Sequence, residues 1–128
     1  MMVRLTAAKT AAFTTLAVLG ILVPTTSAQA ATTDLGDCPR SHFCAWADDN
    51  YKGTLASWEG DDSWWGDNNM HDDAESMFNN GTPASEDVVA IYYDVNHGGF
   101  AFCMDRGETI DVNMDDNDYD SHVWTSGC

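Results

Sequence analysis

Two stretches of this 128-residue chain, WADDNYKG (46–53) and YYDVNHGG (92–99), follow one pattern: an aromatic, an Asp two residues later, an Asn, an aromatic or His, and a final Gly. An internal repeat constrains a small chain more than its composition does, because each copy must be the same supersecondary unit. The Gly positions suit a hairpin that needs positive φ, where a β-carbon would clash. Further along, DDAES (72–76) answers NDYDS (117–121) at nearly the same offset, about 45 residues. Two copies of a strand–hairpin–acidic-loop unit predict an all-β fold, a sandwich of paired Greek keys. The register also changes the reading of NMDDNDYDSH (113–122), because a solvated acidic tail has no reason to recur in step with an upstream loop.

The rest of the chain agrees. HFCAWA, TLASW, VVAIYY, GFAFCM, TIDV and SHVW are short alternating stretches divided by turn residues, and none keeps a helical period for three turns. NNGTPASED (79–87) reads as the connector between halves 38–80 and 88–128, which explains Asn80-Gly81-Thr82 without a glycan. Residues 1–30 read as a secretory signal. Arg4 and Lys9 make a basic start, Ala11 to Val23 is apolar but too short to span a bilayer, and Ser27-Ala28-Gln29-Ala30 offers a cleavage site. Residues 31–37 form a short tether, and the exported chain is Ala31–Cys128.

That chain retains Arg40, Lys52 and Arg106 as bases against 21 acids, a net charge of −18. Such a surface repels nucleic acid and anionic lipid and favours cations or basic partners. All five tryptophans and four tyrosines lie in it, which disordered acidic segments lack. Four cysteines in an exported domain imply two disulfides. Three pairings can be drawn. Cys38 and Cys44 are close enough to clip the first strand, which leaves Cys103 with Cys128, loops that contribute roughly 2 and 3.5 kcal/mol in the chain-entropy view. A Cys/His zinc site lacks the CxxC pairs it would need.

The aromatic-x4-aromatic-x-Gly pattern followed by [N/D][N/D]xx[S/T]S resembles the βγ-crystallin Greek key. Asp72-Asp73-Ala74-Glu75-Ser76 and Asn117-Asp118-Tyr119-Asp120-Ser121 match the first five calcium-loop positions, and Met77 and His122 depart from the sixth. The opening CPRSHFCAWADDNYKG (38–53) is similar to that of secreted bacterial metalloproteinase inhibitors, peptidase inhibitor family 36. The crystallin resemblance implies Ca²⁺ ligands from Asp72, Asp73, Ala74 and Ser76 in one loop and Asn117, Asp118, Tyr119 and Ser121 in the other, exchanged between halves. A hard cation wants six to eight such oxygens. An EF-hand spacing at Asp48, Asn50, Gly53 and Glu59 fails because Lys52 stands where an oxygen ligand belongs.

The inhibitor resemblance implies a monomer that presents the Cys103–Met104 bond to a secreted, thermolysin-type zinc metalloprotease, with Asp105 and Arg106 on the rim. Met104 would fill the primed-side pocket, and the zinc would be the enzyme's. A loop pinned by a disulfide loses little entropy on binding. The reading requires that bond to be exposed. The other readings are a calcium-binding domain with a structural or stress role, and an antimicrobial or toxin-like exported module. No GxSxG, P-loop or Cys–His pattern is present, so the chain reads as a non-enzyme. Trp58 is expected in the core, at least one of Trp64 and Trp65 exposed, and His42, His71, His97 and His122 in turns or on the surface.

Overall fold

The repeated stretches build the same hairpin twice. In the computed structural model, which describes residues 34–111 and 118–128, β1 (His42–Asp48) turns into β2 (Lys52–Trp58) through Asn50 and Tyr51, with φ of 57° and 58°. β4 (Val88–Asp94) turns into β5 (Gly98–Met104) through Asn96 and His97, with φ of 55° and 60°. Gly53 and Gly99 follow at φ 79° and 62°, and a Cβ on Gly53 would stand 2.5 Å from the Asp48 carboxylate. Left-handed backbone is easy for Asn and Gly but costs Tyr51 and His97 about 1–2 kcal/mol each. A buried serine offsets this in each half. Ser76 Oγ donates to the Asp48 carbonyl (2.8 Å) and accepts from the Tyr51 N–H (3.0 Å). Ser121 Oγ donates to the Asp94 carbonyl and accepts from the His97 N–H (3.1 Å). The rings then pack alike, Tyr51 edge-on to Trp46 at 5.3 Å and His97 on Tyr92 at 5.6 Å.

The remaining strands are β3 (Ser76–Asn80), β6 (Thr109–Asp111) and β7 (Ser121–Thr125). They form two antiparallel sheets, β2-β1-β3-β6 and β5-β4-β7. β6 belongs to the second half yet pairs with β3 of the first, Met77 opposite Ile110. The first half returns the exchange through Asp62, whose N–H and carbonyl bond His122 of β7 at 3.1 and 2.9 Å. Each half thus lends its third element to the other's sheet, which is the expected pair of Greek keys. In the described part of the tether, Asp34 caps a single 3-10 turn, Leu35–Asp37. The disulfides are Cys38–Cys44 and Cys103–Cys128. Segment 1–30 and Asn117 lie outside the described residues.

Between the sheets, Trp58 stacks on Phe43 and Trp65 at centroid distances of 5.6 and 5.0 Å, Phe43 and Trp65 meet at a tilt 5.8 Å apart, and Met70, Met77, Val89 and Ile91 flank them. Trp64 is the exposed one of its pair, its ring lying over Gly66. The outer face of β1 is buried as well: Cys44 and Trp46 lie under Leu35, Tyr51, Leu55 and Phe78, with the Cys38–Cys44 bridge closing that cluster.

His122 corrects the expectation of a surface histidine. It is fully buried against Phe43, Trp58 and Trp65. The Trp65 indole N–H donates to His122 Nδ1 (2.9 Å), so the ring proton sits on Nε2 and is donated to the Gly60 carbonyl (2.9 Å). Its departure from the loop motif thus serves the aromatic core. Met104 corrects a second expectation. Its side chain is fully buried in the core and its carbonyl accepts from Asn79 Nδ2 (3.0 Å), because alternation along β5 turns it inward with Phe102. The Cys103–Met104 bond does not offer the Met104 side chain to a protease pocket in this conformation.

Two outcomes follow from these burials. Burial pushes His122 from its ordinary 6.5 down to about 4. Between those values the unfolded chain takes up a proton that the folded chain refuses. Stability should therefore be complete above pH 6.5 and decline as pH falls towards 4, by up to about 3 kcal/mol. Denaturant unfolding across this range should show a smaller loss in His122→Gln, and an unchanged loss would place the titration elsewhere. Met104→Ala should lower stability by about 2–5 kcal/mol, and Met104→Asp by more, because it strands a carboxyl in the core. A neutral Met104→Ala would show that this side chain leaves the core in solution.

Candidate functional site

Acidic residues gather at two corners, one at the β1–β2 turn and one where Asp72 approaches Asp120. At the first, the β1–β2 turn brings Asp48 and Asp49 to Glu75, just before β3, and to Asp111 at the end of β6. The Asn50 N–H donates to Asp111 Oδ1 (2.8 Å), and the Glu75 N–H to the Trp46 carbonyl (2.9 Å). Asp49 Oδ1 is buried with no hydrogen-bond partner. Burial first, then the negative charge of Glu75 and Asp111, a hydrogen bond with Glu75, and finally Asp48, raise the Asp49 carboxyl above its ordinary range. Carboxylates that repel one another in this way favour either a shared proton or a bound cation. The sequence reading passed over Asp49, Glu75 and Asp111. The repeat was the available signal, since it places the hairpin of each half beside that half's own serine.

At the second corner a histidine stands among the acids. His71 Nδ1 lies 2.6 Å from Asp120 Oδ1 and its Nε2 3.3 Å from Asp72 Oδ2. The hydrogen bond to Asp120, then its charge, raise His71. Burial, then the charges of Asp120 and Asp118, raise Asp72 against the lowering effect of His71. The ligand-capable atoms of His71, Asp72 and Asp120 lie within 4.8 Å of one another. Here Asp72 comes from one half and Asp120 from the other, an exchange of the kind the loop resemblance implies, but His71 already engages both carboxylates.

The other loop residues have mixed placements. Asp73 and Asp118 are exposed. Ala74 and Tyr119 are buried, and the Tyr119 ring stacks on Tyr93 at 5.3 Å and meets Phe102 edge-on at 5.4 Å. The Ser76 and Ser121 hydroxyls each make two hairpin hydrogen bonds, which leaves one lone pair apiece.

The third feature is the end of β5. This strand is an outer strand of its sheet, as β7 is on the other side, with Phe100 56% exposed. Cys103 is tied to Cys128, their Cα atoms 6.4 Å apart. Beyond Met104 the chain makes a tight turn: the Asp105 N–H donates to Glu108 Oε2 (2.8 Å), and the Glu108 N–H to the Asp105 carbonyl (3.0 Å). Gly107, at φ 84°, donates to the Asn79 carbonyl (2.8 Å). Asp105 and Arg106 are exposed, and Arg106 Nε pairs with Asp87 at 3.2 Å. The predicted bond and rim are therefore contiguous, with Cys103 half-buried, Asp105 and Arg106 exposed and Met104 buried.

Comparison with known proteins agrees with this architecture. A βγ-crystallin from Ciona intestinalis superposes with a TM-score of 0.55 at 11% identity, covering 66% of this chain and 99% of that one. A structure described as "Evolution of the eye lens beta-gamma-crystallin domain fold" gives 0.57 at 11% identity, covering 67% and 87%. At such identities the likeness establishes the fold alone. No curated protein sequence matches the chain. The family profile of peptidase inhibitor family I36 matches residues 31–104. That match spans more than half of the chain and takes in the Cys38–Cys44 clip, Asp49 and Glu75 of the first corner, and all of β5. The chain belongs to peptidase inhibitor family I36, a family of inhibitors and not of enzymes.

Proposed function

We propose that the protein is a secreted inhibitor of thermolysin-type zinc metalloproteases that docks through the edge strand β5 and the disulfide-held chain leading out of it, Cys103–Arg106. The observation that carries this is an edge strand whose outgoing end is covalently fixed. Protease clefts bind extended chain by strand addition, and an edge strand offers its free main-chain groups in that form. Fixing Cys103 to Cys128 keeps the segment in its bound shape, so little ordering entropy opposes docking. Were the Cys103–Met104 bond cut, Cys103 would stay tethered to Cys128 and Met104 would stay held by the core and Asn79. Both new ends would remain in place. The zinc in this reading is the enzyme's, and this chain contributes backbone, Phe100 and the Asp105–Arg106 rim.

Titration of Ala31–Cys128 against a thermolysin-like enzyme should give saturable inhibition, with none of a serine protease used as control. The Cys103→Ser/Cys128→Ser variant, checked for folding by circular dichroism, should inhibit at least about tenfold more weakly. Inhibition of neither enzyme at micromolar concentration would reject the proposal.

We also infer a Ca²⁺ site at the first corner, from Asp49, Glu75, Asp111 and the free lone pair of Ser76. The orphaned Asp49 oxygen supports it, and the donor set is the hard, all-oxygen kind that Ca²⁺ prefers. The second corner, with Asp72, Asp73, Asp118 and the carbonyls of Ala74 and Tyr119, is the weaker candidate because His71 competes for its carboxylates. Bound Ca²⁺ would act structurally, neutralising self-repulsion between the loops. Ca²⁺ at 100-fold over its Kd should stabilise the fold by about 2.7 kcal/mol, raising Tm by about 10 °C or more. Asp49→Asn should remove most of that rise. Identical melting with and without Ca²⁺ would end this inference.

A further inference from the structure

A cleft of about 530 Å³ opens beside β7, away from both corners and from the β5 edge. Its walls are the chain leaving β2 (Glu59, Gly60, Asp61), the connector (Gly81, Thr82, Glu86) and the indole of Trp124. The indole is positioned firmly. The Trp124 backbone N–H donates to Asp61 Oδ1 (2.8 Å), and the ring's far edge rests on Gly81, where a Cβ would stand 2.9 Å from Cζ3. Trp124 Nε1 is buried and without a partner, so the ring contributes apolar and π surface to the cleft. On the rim, the Ser41 and Thr82 hydroxyls bond each other at 3.5 Å. Glu59, Asp61 and Glu86 are all exposed, and among the described residues no Lys, Arg or His lines the space.

An aromatic wall with carboxylates around it and no base is the chemistry that recognises a cationic side chain, by cation–π contact on one side and charge-assisted hydrogen bonds on the other. The volume falls in the range of side-chain and small-ligand pockets. We propose that this cleft binds an arginine side chain presented by a protein or peptide partner. Arginine fits better than a compact cation, because its planar guanidinium stacks on an indole while its in-plane N–H groups reach carboxylates at the edge. Asp61 has one oxygen engaged by Trp124 and its other free for this, and Glu59 and Glu86 add reach from opposite walls. The cleft is built from both halves and the connector, so it exists only in the folded domain and not in any linear segment.

The test uses Ala31–Cys128 and nuclear magnetic resonance, with the Trp124 indole N–H and the Gly81 and Thr82 amides as reporters. The probes are N-acetyl-arginine amide, its neutral citrulline counterpart and guanidinium chloride. The arginine amide should give a saturable shift at about millimolar concentration. The citrulline compound should give none, which shows the need for charge, and guanidinium alone should bind more weakly because it lacks the apolar stem. Glu59→Gln/Glu86→Gln should weaken arginine binding at least about fivefold while leaving the other resonances in place. No saturable shift, equal shifts from citrulline, binding by guanidinium as tight as by the arginine amide, or indifference to the double substitution would each overturn the proposal. No protease enters the measurement, so its failure leaves the inhibitor reading untouched.

Discussion

Two buried serine hydroxyls hold the domain's geometry. Ser76 and Ser121 each bind a carbonyl and an N–H of the hairpin in their own half. They hold Tyr51 and His97 in a backbone conformation that such residues rarely adopt. Once the turns are fixed, Asn50 donates to Asp111 and Asn96 to the Ser63 carbonyl (2.8 Å), so each hairpin is tied to the segment borrowed from the other half. The loops that follow are held where their carboxylates crowd. Those crowded carboxylates are a consequence of how the hairpins are locked.

The two halves then diverge, and the divergence sets what each end can do. The first corner keeps only oxygen donors, and the second admits His71. The first sheet gains an outer cluster under the Cys38–Cys44 clip, while the second keeps β5 as an edge whose end is stapled to the C-terminus. A domain of this size has a modest core. Its two bridges stiffen opposite ends, so binding segments can be presented with little loss of entropy. Met104 belongs to this economy as a core residue that anchors the strand from within.

Much of the fold could be read from the repeat. The aromatic–Asp–Asn–Gly spacing announced the hairpins, the alternating stretches announced the strands, and the closeness of Cys38 to Cys44 announced one bridge, with the other left by elimination. The sites were less legible. Met104, in FAFCM, has the same apolar character whether it faces a protease or the core, and only the pairing of β5 with β4 decides its face. His122 sits in a motif position normally polar, and nothing local shows that Phe43, Trp58 and Trp65 converge on it from distant segments. Asp49 could be told from the other acids only by what surrounds it in space.

By itself, then, the sequence determined the local chemistry: which turns can take positive φ, which stretches alternate, which cysteines are near enough to bridge, and a net charge that repels anions. These depend on neighbours within a few residues, where covalent geometry and period-two patterning act. The tertiary structure alone decided which carboxylate loses its partner, which histidine stays neutral, which methionine is hidden, and that Trp124 and three acids share a cleft. Each of these depends on desolvation and on charges brought together from both halves, and those distances do not exist until the sheets have closed on one another.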